Sequence, residues 1–438
     1  MSNIALVVLD TLRKDRFDDY FDWLPGHRFE RAFSTSHWTV PAHTSMFTGK
    51  YASEVGVYAN AESLDCEETV LAERLSENGY STRAFSGNVN ISKAFKYHRG
   101  FDEFIGSWRL KAMSENVFDW DGFIAETQHE GPQRYVKALY RCLVDDCDTI
   151  SSLKRGALLK LRDIGIGEKT RDDGATAALD FVRKTNFHDQ EFLFMNLVEA
   201  HTPYHPPAEF QTVEPPSLNG LFATLNGGPK DDPHRIKQGY SDASRYLSVM
   251  YEKIFEELQS HFDLIITVSD HGELLGEHNA WEHAFGVYPE LTHVPFSIYD
   301  GSNGHVYDES VSLLDVHATI LSEAGIDAPS RGRDLRNVVE DGEFISEYHG
   351  ISDRHYESMA AHGFSDIDFL QEELSGLIDG SYYGYETPDG FQSYGSGTHE
   401  RPQGRLKEVV ESLNKRSAKQ EKGIDDSVLR QLQDLGYA

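Results

Sequence analysis

Apolar and polar positions alternate along the chain in two rhythms, one of strands and one of helices. Ile4–Leu9 (I-A-L-V-V-L) is a continuous apolar run ending in Asp10, the pattern of a central strand whose C-terminal end opens into a site. Val70, Leu71 and Leu75 at helical spacing predict a helix over 68–78, stopped by Gly79 and followed by a strand over Ser81–Ser86. The pattern repeats as a helix at Ala175–Lys184 and a strand at Phe192–Val198. A longer helix, with Leu247, Met250, Tyr251, Ile254, Phe255 and Leu258 on one face, leads to a strand at Leu264–Val268, and Asp270 sits just beyond it. One more helix is expected over Val311–Ala324. Such alternation is the mark of an α/β sandwich with a large, mostly parallel central sheet.

Two stretches break the rhythm. Residues 107–166 mix charge and aromatics without a clear period and are expected to form an insertion near the substrate entrance. Beyond 351, the segment L-I-D-G-S-Y-Y-G-Y-E-T-P-D-G-F predicts short antiparallel strands joined by Asp-Gly turns, then a charged helix running to Tyr437. The division expected is a catalytic α/β domain over 1–350 and a smaller antiparallel-sheet subdomain over 351–438.

Composition narrows the functional classes. With 438 residues, 39% of them hydrophobic, the chain can bury a large core. No apolar stretch reaches the ~20 residues of a membrane helix, and Met1–Asn3 runs straight into the first apolar segment, so membrane insertion is not expected and the cytoplasm is the expected location. Cys66, Cys142 and Cys147, an odd set without metal-finger spacing, fit a reducing interior. The net charge of −31 is dispersed, as on the acidic surfaces of proteins from salty cytoplasm, and repels nucleic acid. It also repels an anionic substrate, so a bound cation has to reverse the field locally. Oligomeric state is not legible.

Three segments end in acidic or histidine residues where strands give way to loops: Asp10, Glu199 with His201, and Asp270 with His271. In an open α/β sheet those strand ends share one crevice, so such side chains can meet on one metal. Carboxylates suit hard cations, while an imidazole shifts the preference toward Mn²⁺ or Zn²⁺. The run from Trp38 to Gly49 (W-T-V-P-A-H-T-S-M-F-T-G) places Thr39 at a helix N-terminus, because proline favours the first helical turn. Free N–H groups there favour an anion.

Taken together, Asp10, Thr39-Val40-Pro41-Ala42-His43, Thr48-Gly49-Lys50-Tyr51, Ser269-Asp270-His271-Gly272-Glu273 and Gly276-Glu277-His278 resemble the sulfatase family of the alkaline phosphatase superfamily. The likeness continues through Leu71-Ala72-Glu73-Arg74-Leu75, Glu199-Ala200-His201-Thr202-Pro203-Tyr204, His293-Val294-Pro295 and Asp315-Val316-His317-Ala318-Thr319, in order over residues 3–350. The resemblance implies a three-layer sandwich and one divalent metal ion (Mn²⁺, Ca²⁺, Mg²⁺ or Zn²⁺) held by Asp10, Thr39, Asp270 and His271. It implies that His201 contacts the ester and that His283, where the family often has a lysine, protonates the leaving group. His43, Asn88 and His205 stand where substrate contacts are expected.

The chain also departs from the family pattern. Sulfatases carry Cys or Ser in Cys-x-Pro-x-Arg, matured to formylglycine; Thr39 cannot mature so, and none of the three cysteines lies in such a motif. The arginine is replaced by His43, the second aspartate after the first strand by Thr11, and the Lys-x-His after the second by Asn88-Val89-Asn90. A sulfated threonine has no elimination route, whereas a phosphothreonine can be released by in-line attack. The reading is a metal-dependent hydrolase of sulfate or phosphate esters of small molecules or glycans. A phosphodiesterase or phosphoglycerol-type transferase, and a noncatalytic binder of anionic glycans, are the alternatives.

Overall fold

A computed structural model describes residues 2–106, 133–144, 149, 152–153, 172–336 and 339–418. Its strands in chain order are β1 (Ile4–Leu9), β2 (His27–Phe33), β3 (Ser81–Ser86), β4 (Glu103–Ile105), β5 (Glu191–Leu197), β6 (Leu264–Val268), β7 (Leu274–Leu275), β8 (Trp281–Glu282), β9 (Phe296–Tyr299), β10 (Val306–Ser312), β11 (Glu343–His349), β12 (Glu373–Asp379), β13 (Tyr382–Thr387) and β14 (Gly390–Gly395). Eight of them form one sheet in the order β10-β2-β9-β6-β1-β5-β3-β4. Only β9 runs against its neighbours β2 and β6; the other pairings are parallel.

The layering follows from the pleat of β1. Ile4, Leu6 and Val8 face one core, shared with Met46, Leu71, Leu75 and Ile320, while Ala5, Val7 and Leu9 face the other, shared with Leu179, Leu247, Tyr251 and Phe255. Every residue of β1, β5 and β6 is buried, as strands covered by helices on both faces require. The three-layer α/β architecture read from the sequence is the one found.

Several elements start or stop elsewhere than the pattern suggests. The helix expected from Val311 begins at Leu314, because Val306–Ser312 is an edge strand beside β2. The helix expected over 68–78 is Leu71–Glu77, with Glu73 reaching back to the Val70 N–H. The edge strand β10 and its neighbour β2 mix charged and apolar residues, and β9 is only four residues long, so their pattern does not announce them.

A second sheet, β11-β12-β13-β14, is antiparallel throughout. Gly380-Ser381 joins β12 to β13 and Pro388-Asp389 joins β13 to β14; the glycine of each Asp-Gly pair, Gly380 (φ 54°) and Gly390 (φ 121°), takes the positive φ at these tight turns. Its first strand lies ahead of residue 351, where the pattern placed the start of the smaller layer. That strand is stitched to the large domain: Glu347 N–H donates to the Thr35 carbonyl (2.9 Å), Ser36 Oγ to the Glu347 carbonyl (2.8 Å) and Ser346 Oγ to the Ser34 carbonyl (2.6 Å).

A helix at Pro402–Ser412 follows; the rest of the charged helix expected to reach Tyr437 lies outside the described residues beyond 418. Of the insertion expected over 107–166, only the helix Gln133–Val144 and positions 149 and 152–153 are described. No helix among the described residues is long and apolar enough to cross a membrane.

Candidate active site

Four strands of the large sheet deliver polar side chains to its C-terminal edge. Asp10 follows β1, Asn88 follows β3, Asn196 lies near the end of β5, and Asp270 follows β6. Parallel register places Asn196 beside Val8, two residues short of Asp10. Opposite them stands the helix Thr39–Thr48, whose ten residues are all buried. Trp38 is its N-cap and makes no side-chain cap bond, and Gly49 in the left-handed region (φ 67°) ends it.

The two carboxylates are fixed by separate sets of donors. Asp10 Oδ1 accepts from Thr11 Oγ1 (2.8 Å), and its Oδ2 from Asn88 Nδ2 (2.8 Å) and Asn196 Nδ2 (3.1 Å). Asp270 Oδ1 accepts from the backbone N–H of Thr11 (3.1 Å) and of His271 (3.0 Å). Thr11 can reach Asp270 because its backbone is left-handed (φ 65°), a conformation costly for threonine, while Tyr240 Oη donates to its carbonyl.

Asp270 Oδ2 is buried and has no hydrogen-bond partner. Burial first, and then the Asp10 charge, hold the Asp270 carboxyl well above the usual carboxylate range. A carboxylate oxygen stranded in this way calls for a positive partner. The His271 ring donates from Nδ1 to the Gly272 carbonyl (2.9 Å), which leaves Nε2 facing Thr39 Oγ1 at 3.2 Å and Asp270 Oδ2 at 3.5 Å. Its pKa lies well below the ordinary histidine value, through burial and then through His283, so the ring is neutral and can ligate. Ligand atoms of Asp10, Asp270 and His271 all lie within 4.8 Å of one another, and no other such group occurs among the described residues. Asn88 Nδ2, at 3.5 Å from Thr39 Oγ1, completes the ring around the hydroxyl.

Of the remaining expected residues, His43 is turned inward. Its Nδ1 meets the Thr39 carbonyl at 2.9 Å, and its Nε2 lies 3.4 Å from Asn196 Nδ2, with the ring wholly covered. Burial lowers its pKa to about 4, so the ring is neutral and braces the first helical turn. His201 and His283 do come together, their ring centroids 5.1 Å apart, and His283 is 4.5 Å from the His271 ring. His201 Nδ1 is held by the Thr202 carbonyl at 2.7 Å. Burial alone would lower the His283 pKa, but the adjoining Glu273 carboxylate, aided by Glu282, outweighs it and lifts the value to about 9. His205 is half-buried in the loop after His201. His278 is engaged with Glu290 (3.1 Å) and stacked on Tyr288.

Asn196 carries no functional signal in the sequence, since it sits inside an apolar strand; only the β1–β5 register reveals it. Glu273 and Tyr204 lie within the motifs read above, but their partnership is visible only in three dimensions.

A family model described as Sulfatase matches residues 4–326. An arylsulfatase of Clostridium perfringens is 25% identical over 401 residues, covering 77% of this chain and 78% of that protein. The iduronate 2-sulfatase of Mus musculus is 21% identical over 351 residues, and the match spans only 59% of its length. Among solved structures, the phosphonate monoester hydrolase from Silicibacter pomeroyi superposes with a TM-score of 0.61 at 18% identity, over 94% of both chains.

Proposed function

The chain belongs to the sulfatase family and is a sulfuric or phosphoric ester hydrolase of that type, and from that premise we propose that Thr39 is its nucleophile and a phosphorus ester its substrate. The carrying observation is the Thr39 hydroxyl, 3.2 Å from the free edge of the His271 ring and flanked by the Asp10–Asn88 pair.

A metal ion suits the residues present. The Asp270 Oδ2 that no hydrogen bond reaches, the neutral His271 and the Asp10 carboxylate are metal-ligating groups gathered at one place, and Thr39 Oγ1 adds a fourth. Two carboxylates, an imidazole and a hydroxyl suit Mn²⁺ or Zn²⁺ better than Ca²⁺, which takes six to eight oxygens. When bound, the ion lowers the pKa of the hydroxyl and offsets the charge of the ester.

The chain's own residues then divide the work. Thr39 Oγ, its proton already lost to solvent, attacks the ester centre from the helix N-terminus, where backbone N–H groups face the incoming anion. His201 and Asn88 hold nonbridging oxygens, and His283 gives a proton to the departing alcohol oxygen. Water then attacks the threonine ester and returns a proton to His283, which restores the resting site.

Threonine separates this chain from formylglycine enzymes. A sulfated threonine would persist, because it lacks the elimination route, whereas a phosphorylated one is open to in-line displacement. Nitrophenyl sulfate, phosphate monoester, phosphate diester and phosphonate monoester, each offered with Mn²⁺, Zn²⁺, Mg²⁺ and Ca²⁺, provide the test. Turnover of a phosphorus ester that ends on chelation and in Thr39→Ala is expected. Turnover confined to the sulfate, or undiminished in Thr39→Ala, would overturn the reading.

A further inference from the structure

His283 faces the site from β8 and the residue after it, a short hairpin whose partner strand β7 begins just after Glu273. Glu273 is wholly buried and each of its carboxylate oxygens has one partner: Oε1 lies 2.9 Å from His283 Nδ1, and Oε2 accepts from Tyr204 Oη at 2.9 Å. Tyr204 is itself 1% exposed and comes from the loop that carries His201, three residues earlier. Arg13 Nη1 donates to the Glu273 carbonyl at 2.9 Å, which pins the backbone at the same residue. One carboxylate thus joins the segment bearing His283 to the segment bearing His201, and those two rings meet with centroids 5.1 Å apart. The His283 side chain keeps 18% of its surface open, whereas Glu273 and Tyr204 do not reach the site.

We propose that Glu273, clamped by Tyr204, is the positioning residue for His283: it fixes the imidazole with Nδ1–H engaged and presents the opposite nitrogen to the leaving-group oxygen. This rests on the phosphorus-ester reading given above. In the first half of the cycle the Thr39 Oγ–phosphorus bond forms as the ester P–O bond breaks. The electron pair leaves on the alcohol oxygen, and the proton on the presented nitrogen neutralises it. In the second half, water loses a proton to that nitrogen as its oxygen displaces Thr39 Oγ. Bonds, charge and protons return to their starting count, and no further reactant is needed. A Glu273 carboxylate that merely filled the core would need neither oxygen aligned on the ring.

The test has two arms. In the first, wild type, Glu273→Gln, Tyr204→Phe, His283→Asn and the Glu273→Gln/His283→Asn double variant are assayed on aryl and alkyl esters of one phosphate series. Expected is a loss on the order of 100-fold for the poorest leaving group and under about 3-fold for nitrophenol in Glu273→Gln, with a smaller loss of the same slope in Tyr204→Phe. The double variant should be no slower than His283→Asn alone. A loss equal across the series, or additive with His283→Asn, would overturn the proposal.

The second arm needs no turnover. The hydrogen-bonded imidazole N–H resonance of His283, assigned by its disappearance in His283→Asn, should shift or vanish in Glu273→Gln and move in Tyr204→Phe. An unchanged resonance in both sinks the positioning role whatever the substrate proves to be. Failure of every ester in the first arm would instead sink the functional reading and leave this arm to decide.

Discussion

Oγ1 of Thr39 and Nε2 of His271 lie 3.2 Å apart although 232 positions separate them in the chain. The contact depends on two independent placements, a helix N-terminus on one side and a strand end on the other, and each supplies a way to test the site.

Thr39→Ala should lower kcat by a factor on the order of 1,000 or more, since it removes the proposed attacking atom, while Thr39→Ser should stay within about 10-fold of wild type. Steady-state rates on the best phosphorus ester check this. Equal rates in the alanine variant would remove Thr39 from the chemistry.

Asp270→Asn should weaken metal retention by at least about 100-fold, because it withdraws a candidate metal-ligand oxygen that has no hydrogen-bond partner. Metal content after dialysis gives the first reading. Thermal unfolding gives a second: added Mn²⁺ or Zn²⁺ should raise the wild-type midpoint and leave that of the variant unmoved. In chelator the variant should unfold no earlier than wild type, since it sheds a buried charge beside Asp10.

Glu199 offers a pH test away from the candidate metal ligands. Its Oε1 accepts from the Ala175 N–H at 2.7 Å, its Oε2 has no hydrogen-bond partner, and burial, with Asp172 and Asp173 nearby, raises its pKa from 4.5 to about 8. A carboxyl raised in this way is protonated in the folded chain and ionised in the unfolded one between those values, so it costs stability progressively as pH rises from 4.5 to 8. The cost reaches on the order of 5 kcal/mol. Glu199→Gln should therefore match wild type near pH 4.5 and exceed it at pH 8 in urea unfolding; parallel curves across that range would refute the assignment.

Gly272 tolerates no side chain, because a Cβ there would sit 2.0 Å from the Glu290 carbonyl oxygen. Gly272→Ala should cost about 1–3 kcal/mol and displace the carbonyl that holds His271 Nδ1, so metal affinity should fall along with stability. A variant with full stability and full affinity would show that the loop moves freely.

What could be read from the chain alone follows the strength of local signals. Asp10, Asp270 and His271 were legible because they follow apolar strands, and Thr39 because Pro41 marks the first turn of its helix. Their convergence follows from the parallel sheet, and the fold follows from buried runs such as Ile4–Leu9. Strands β2 and β10 were not legible, since the edge strand and its neighbour carry charged residues such as Arg28, Glu30 and Asp308 among the apolar ones. The inward turn of His43 was hidden for another reason: its companions Asn196 and Phe194 come from a strand more than 150 positions later. The Tyr204–Glu273–His283 contact is likewise a product of tertiary packing with no sequence period of its own.

The hydrogen bonds between residues 34–36 and 346–347 bear on how this enzyme could be dissected. They tie the stretch just ahead of Thr39 to the first strand of the smaller sheet, so the hydroxyl is aimed in part by chain that follows the motif-bearing region. Shortening the protein to residues 4–326 would leave the Ser34 and Thr35 carbonyls without these partners. The smaller sheet therefore takes part in setting the direction of the Thr39 hydroxyl.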